Sequence, residues 1–141
     1  MKWELLLIED EESLLELLAE LLTEDDISVT TASNGQEGLA LMRERHFDVV
    51  VSDISMPVLD GASMFFEAKA AGIHYPHIFF SAHVGPELSE DLKLAGAYAV
   101  VPKPYFEKLS AEINSIFARK ELLHRENFIP LVNSGLNEVV I

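Results

Sequence analysis

Short apolar runs alternate along this chain with longer segments whose apolar residues recur every three or four positions. The runs are Leu5 to Ile8, Ile27 to Ala32, Phe47 to Ser52, Ile78 to Ser81 and Ala97 to Val101. Each is short and rich in branched side chains, as strands buried on both faces of a parallel sheet are. Between them, Leu14, Leu18, Leu21 and Leu22 form a helical stripe with Glu12, Glu16 and Glu20 on the polar side. Asn34 has the chemistry of an N-cap, with Glu37 three residues on. Asp60 is placed to cap a helix running to Ala71, and Gly72 to stop it. Leu109, Ile113, Ile116 and Phe117 give a last stripe after Pro104. Strand and helix in strict alternation predict right-handed crossovers, hence an α/β fold: a doubly wound parallel sheet with helices on both faces. One domain is expected over residues 1–125, and residues 126–141, with Pro130, Gly135 and no clear period, are expected to be a tail or linker.

Composition narrows the setting. The 141 residues suffice for one core, and with 49% of them hydrophobic the chain is expected to fold. No cysteine is present, which excludes disulfides and thiolate metal sites. The first apolar run ends in carboxylates after four residues, too short for a signal sequence, and no stretch reaches the roughly 20 apolar residues of a membrane span. A formal net charge of −14 repels nucleic acid and anionic lipid and favours cations and basic partner patches. The expected location is cytoplasmic, with neither nucleic acid nor membrane as a partner of this domain.

In an open α/β sheet the binding crevice lies beyond the carboxyl ends of the strands. The first run is followed by Glu9, Asp10 and Glu11, and the third by Asp53. The fourth ends in Ser81, and the fifth leads to Lys103. Clustered carboxylates repel one another unless a cation lies among them, and all-oxygen ligands suit Mg²⁺, Mn²⁺ or Ca²⁺. Lys103 and the Ser81 hydroxyl would complete an anion site beside such a metal. Phosphoryl transfer needs mainly positioning and charge neutralisation, and a carboxylate can be its nucleophile. Taken singly, each residue has a plainer explanation: acids favour a helix's first turn, Asp53 precedes a turn, and lysine and serine are common surface groups. Their joint occurrence at the ends of four strands is what argues for a site.

These residues lie in blocks that resemble the receiver domain of two-component response regulators, of the CheY-like type, over about residues 3–122. The blocks are Leu7-Ile8-Glu9-Asp10-Glu11, the run from Phe47 through Asp53, Met56 and Pro57 to Asp60 and Gly61, Phe79-Phe80-Ser81-Ala82, Ala95-Gly96-Ala97, and Lys103-Pro104-Tyr105. The resemblance implies a five-stranded parallel sheet in the order 2-1-3-4-5 with five helices, flavodoxin-like in its winding. It implies that Asp53 accepts a phosphoryl group from the phosphohistidine of a sensor histidine kinase or phosphotransfer protein. It implies Mg²⁺ ligated by Asp10, Asp53 and the Ser55 main-chain carbonyl, with Glu9 acting through water. Lys103 would pair with the Asp53 carboxylate or phosphoryl group, and Ser81 would bond a phosphoryl oxygen. Such a module switches partner interactions in a phosphorelay and catalyses only its own phosphorylation and dephosphorylation, so it is not a turnover enzyme.

Three departures stand out: Glu9 where the family most often has Asp, Val100 where it has a switch aromatic, and Pro102, which lacks a ladder donor and suits only an edge strand. Two other functions compete with this one. A Mg-dependent aspartate-nucleophile phosphatase would need a second Asp two residues after Asp53, where Ser55 stands. A pseudo-receiver acting only as an interaction module would have no need of Asp10, Asp53, Ser81 and Lys103. Of the five histidines, His46, His74, His77 and His124 are expected in loops or on the surface, and the resemblance implies that His83, two residues after Ser81, faces the phosphoryl site.

Overall fold

The computed structural model describes residues 2–124. Ten elements alternate: β1 (Trp3–Ile8), α1 (Glu12–Leu22), β2 (Ile27–Ala32), α2 (Gly35–Glu44), β3 (Val49–Ser52), α3 (Gly61–Ala70), β4 (His77–Ser81), α4 (Pro86–Leu94), β5 (Ala99–Pro102) and α5 (Phe106–Leu123). The five strands are parallel in the order β2-β1-β3-β4-β5, as expected. The proposed boundary at residues 125 and 126, and the tail 126–141, lie outside the described residues.

Strand alternation assigns the core. On β1, Leu5 and Leu7 face a cluster built with Leu18 and Leu22 of α1 and Leu109, Ile113, Ile116 and Phe117 of α5. Leu6 and Ile8 face the other way, onto Leu39 and Met42 of α2 and Met64 and Ala68 of α3. A third cluster joins Ile54, Phe65, Phe79, Leu92 and Ala97 under α3 and α4. The anticipated caps are present. Asn34 Oδ1 accepts from the Glu37 amide at 2.8 Å, and Asp60 Oδ1 accepts from the Ser63 amide at 2.8 Å. Gly72 sits at φ +84° just past α3, the left-handed position that favours glycine.

Three expectations need correction. Burial on both faces holds for the central strands only. β2 lies at the sheet edge, where Thr31 is exposed, and Val100 of the other edge strand, β5, is only partly buried; Pro102 falls on that edge strand, as its missing donor led one to expect. Leu21 is half exposed and is not a core residue, because one step along a helix turns about 100° and carries it away from buried Leu22. His77 is no surface imidazole. It is the first residue of β4, only 2% exposed, and its ring meets Phe65 edge-on at 4.9 Å between centroids.

The loop between β3 and α3 holds a strained residue. Val58 has φ +70°, a region that costs a β-branched side chain roughly 1–2 kcal/mol, and it is 73% exposed, so packing offsets little of that. Val58→Asn is expected to raise the urea midpoint by an amount equivalent to about 1 kcal/mol, since Asn tolerates this conformation. A lowered midpoint would mean that the isopropyl group makes contacts that matter more than its backbone strain.

Candidate phosphoryl-acceptor site

The ladders of the sheet continue one bond past the strands and fix the backbone of the site. The Glu9 amide donates to the Ala32 carbonyl at 3.1 Å, the Asp53 amide to Ile8 at 3.1 Å, and the Lys103 amide to Ser81 at 2.9 Å. Three loops from three strand ends are thus held in one register. Gly61 lets a fourth piece approach: its amide donates to the Ile54 carbonyl at 2.7 Å, and a Cβ there would overlap the Asp53 carbonyl oxygen.

All the expected side chains converge. One oxygen of the Asp53 carboxylate, Oδ1, accepts from the Ser81 hydroxyl and the Ile54 amide, both at 2.6 Å. The other, Oδ2, accepts from Lys103 Nζ at 2.8 Å. Glu9, Asp10 and Asp53 each offer a carboxylate oxygen, and these atoms lie within 4.8 Å of one another. Asp10 is exposed, Asp53 half-buried and Glu9 buried, so the cluster opens to solvent on the Asp10 side. Three carboxylates this close fit a hard divalent cation, which would relieve their repulsion, polarise an incoming phosphoryl group and neutralise its charge. Ser55 lies exposed in the same loop, two residues after Asp53.

Glu9 has a partner that the sequence did not suggest. Its Oε1 accepts from Lys103 Nζ at 2.9 Å, and its Oε2 from the Glu11 amide at 3.2 Å. Burial raises the Glu9 pKa above the ordinary carboxylate value, against the pull of Lys103. Burial alone would lower Lys103, but its hydrogen bonds to Asp53 and Glu9 outweigh that and raise it, so the ammonium stays charged. The extra methylene of Glu9 was the available signal for this contact.

His83 is exposed on the loop after β4. Val100 packs against the third core cluster, and Tyr98 is half-buried with its hydroxyl 2.7 Å from Ser115 Oγ and the Arg119 guanidinium 5.8 Å from its ring centre. No aromatic therefore stands on β5 in line with Ser81.

Known proteins share this sequence pattern and this fold. The family model described as response regulator receiver domain matches residues 5–114. A response regulator receiver protein of Anaeromyxobacter is 35% identical over 99 residues, which cover 70% of this chain and 42% of that protein. The transcriptional regulatory protein GlrR of Escherichia coli is 34% identical over 71% of this chain but only 22% of its own length. This chain therefore spans less than half of either relative. Among solved structures, a receiver domain protein from Clostridium thermocellum superposes with a TM-score of 0.77 at 33% identity, covering 86% of this chain and 98% of that one. The response regulator TrrA of Thermotoga maritima, solved in complex with Mg²⁺ and BeF, superposes at 0.72 with 29% identity, over 82% of this chain and 99% of that one. With the family match covering most of the described residues, on a sheet order and strand-end site that its motifs anticipate, the chain belongs to the response regulator receiver domain family.

Proposed function

We propose that Asp53 is the phosphoryl acceptor of this receiver domain and that the phosphohistidine of a sensor kinase or phosphotransfer protein is the donor. Receiver domains in general are signalling modules phosphorylated on an aspartate with Mg²⁺. What supports the assignment here is one arrangement: a half-buried carboxylate at the end of a central strand, held by a hydroxyl, an amide and an ammonium beside two further carboxylates. Asp10, Asp53 and the Ser55 carbonyl would hold Mg²⁺, with Glu9 at one remove.

Each role has its geometry. An Asp53 carboxylate oxygen attacks the phosphorus, forming the acyl phosphate as the P–N bond breaks and the imidazole nitrogen takes a proton. Three contacts on Asp53 hold its carboxylate still, which supplies the positioning on which this chemistry depends. Lys103 and the Ser81 hydroxyl are placed to donate to phosphoryl oxygens after transfer. The domain then acts by switching partner contacts and not by turnover. The chain's location is read as cytoplasmic, where such kinases present their phosphohistidine. Among the described residues no helix is long and apolar enough to cross a membrane, and the net charge of −14 disfavours nucleic acid as a ligand of this domain. Residues 1–125 are assigned to the receiver and 126–141 to a tail or linker.

Acetyl phosphate with Mg²⁺ tests the acceptor. One phosphoryl group per chain is expected by mass spectrometry on the wild type and none on Asp53→Ala, which should remain folded. An adduct on Asp53→Ala would place the acceptor elsewhere, continuous phosphate release would favour a phosphatase, and no adduct on the wild type a pseudo-receiver. In the same experiment Mg²⁺ should raise the thermal midpoint of the wild type by linkage and leave Asp10→Ala unmoved; equal shifts would remove Asp10 from the metal site.

Output is expected to bypass an aromatic relay. Since Tyr98 is tied to α5, the stability effects of Ser81→Ala and Tyr98→Phe should add to within about 0.5 kcal/mol, with or without phosphodonor. A larger coupling after phosphodonor treatment would reinstate Tyr98 as a switch residue. Without such a relay, rearrangement is confined to the loop from Ala82 to Pro86.

A further inference from the structure

The geometry points to Glu9 as a positioning residue for Lys103: the buried carboxylate tethers the ammonium onto Asp53 while no metal is bound, so that Lys103 already stands where the phosphoryl group will arrive. This rests on the acceptor reading above and adds a role that a water-mediated metal contact does not include. Four observations carry it. Glu9 is 3% exposed, and both of its oxygens are engaged, one by Lys103 Nζ at 2.9 Å and one by the Glu11 amide at 3.2 Å, which fixes the carboxylate's orientation. Lys103 Nζ lies at 2.8 Å from Asp53, so one ammonium bridges two acids that would otherwise face each other unscreened. An ammonium has three donors, and two are taken by these acids, which leaves the third for an oxygen of the incoming group. The Lys103 backbone is itself pinned to the Ser81 carbonyl at 2.9 Å, so the side chain reaches both acids from a fixed base.

The length of the glutamate decides the contact. An aspartate at the same backbone position would withdraw its carboxylate by about one carbon–carbon bond, roughly 1.5 Å, and open the 2.9 Å contact beyond hydrogen-bond range unless Lys103 left Asp53 to follow it. Either way the bridge is lost. Once Asp53 carries the phosphoryl group, negative charge moves outward, and a lysine held by Glu9 remains within reach of it instead of swinging into solvent.

The test reads Lys103 directly in metal-free, full-length protein. Amine acetylation with an N-hydroxysuccinimide ester, followed by peptide mass spectrometry, should find Lys103 protected in the wild type relative to Lys69, Lys93 and Lys108. Glu9→Asp keeps the charge and shortens the arm, and should raise Lys103 labelling several-fold while leaving the reference lysines unchanged. At saturating Mg²⁺ the same variant should accept phosphoryl groups several-fold more slowly, with its Mg²⁺ half-saturation point unchanged or lower. Wild-type levels of Lys103 labelling in Glu9→Asp would overturn the tether. Should that variant label at every lysine and so prove unfolded, Glu9→Gln, which keeps the length and removes the charge, takes its place under the same criterion. The labelling involves no phosphoryl chemistry, so the two readings fail separately. A labelling shift without any wild-type adduct removes the acceptor and keeps the tether, and an adduct without a labelling shift does the reverse.

Discussion

Below about pH 6.5 the wild-type domain is expected to lose stability faster than His77→Leu, and to have lost about 3 kcal/mol through this one residue by pH 4. His77 opens β4 with its ring between Phe65 and Phe79. Its Nδ1 lies 2.9 Å from the Tyr75 carbonyl, which only accepts, so Nδ1 carries the hydrogen. Nε2 is then a bare lone pair, buried without a partner. Protonation would create a buried N–H with no acceptor and a second positive charge near that of Lys69. Burial accordingly lowers the imidazole pKa from 6.5 to about 4, the hydrogen bond to Tyr75 opposes the change, and Lys69 adds to it. The folded state thus refuses a proton that the unfolded chain takes up from about pH 6.5 downward. Stability is intact above that range and declines until the folded pKa of about 4 is reached, by roughly 1.4 kcal/mol for each pH unit crossed. Leucine keeps the volume but gives up the Tyr75 contact, so the variant should be slightly weaker than wild type at about pH 7.5 and stronger near pH 4.5. Urea unfolding across that range measures it. Two parallel stability curves would show that His77 is not the titrating group.

His77 also shows where sequence reading stopped. A strand begun at Ile78 leaves His77 in the preceding loop, beside His74, Tyr75 and Pro76. Pairing of Val50 with His77 starts the strand one residue earlier and puts the imidazole on the face of Phe79, under α3. A one-residue boundary decides whether a titratable ring is solvated or buried. The legible features had local causes. Asn34 and Asp60 announce helix starts because their oxygens satisfy amides two or three residues on, and the alternation of Leu5 to Ile8 is a property of any extended chain. The candidate site was legible because a parallel sheet sends every strand's carboxyl end to one edge, so the residues that end or succeed four of the five apolar runs are the residues of the candidate site. The contact of Glu9 with Lys103 spans 94 residues and turns on a single methylene. Residue identity names the partners of such a bridge but not its reach. Val58 was equally opaque, since nothing in its chemistry suits the conformation that the turn before Gly61 imposes.

Gly61→Ala should be the most damaging single methyl group in the molecule's acceptor loop. A Cβ on Gly61 would overlap the carbonyl oxygen of Asp53 and come within 3.0 Å of the Asp53 carbonyl carbon and the Ile54 Cα. These are backbone atoms, which cannot rotate aside as a side chain can. Relief requires the first turn of α3 to withdraw from β3, breaking the 2.7 Å bond from the Gly61 amide to Ile54. A buried clash of this kind belongs with the larger single-residue effects, about 2–3 kcal/mol or a fall in the thermal midpoint on the order of 10 °C. The displaced atoms are the backbone of the proposed acceptor, so phosphoryl incorporation by the remaining folded protein should fall more than stability alone accounts for. Gly85→Ala is the control. At that position an added Cβ meets nothing within 4 Å and φ is −68°, so the loss should not exceed about 1 kcal/mol, the ordinary cost of alanine at an N-cap. The comparison isolates the cause, because both substitutions add the same methyl group at the start of a helix. If Gly61→Ala and Gly85→Ala prove equally stable and equally reactive, the close approach of α3 to Asp53 is not what holds the acceptor in place.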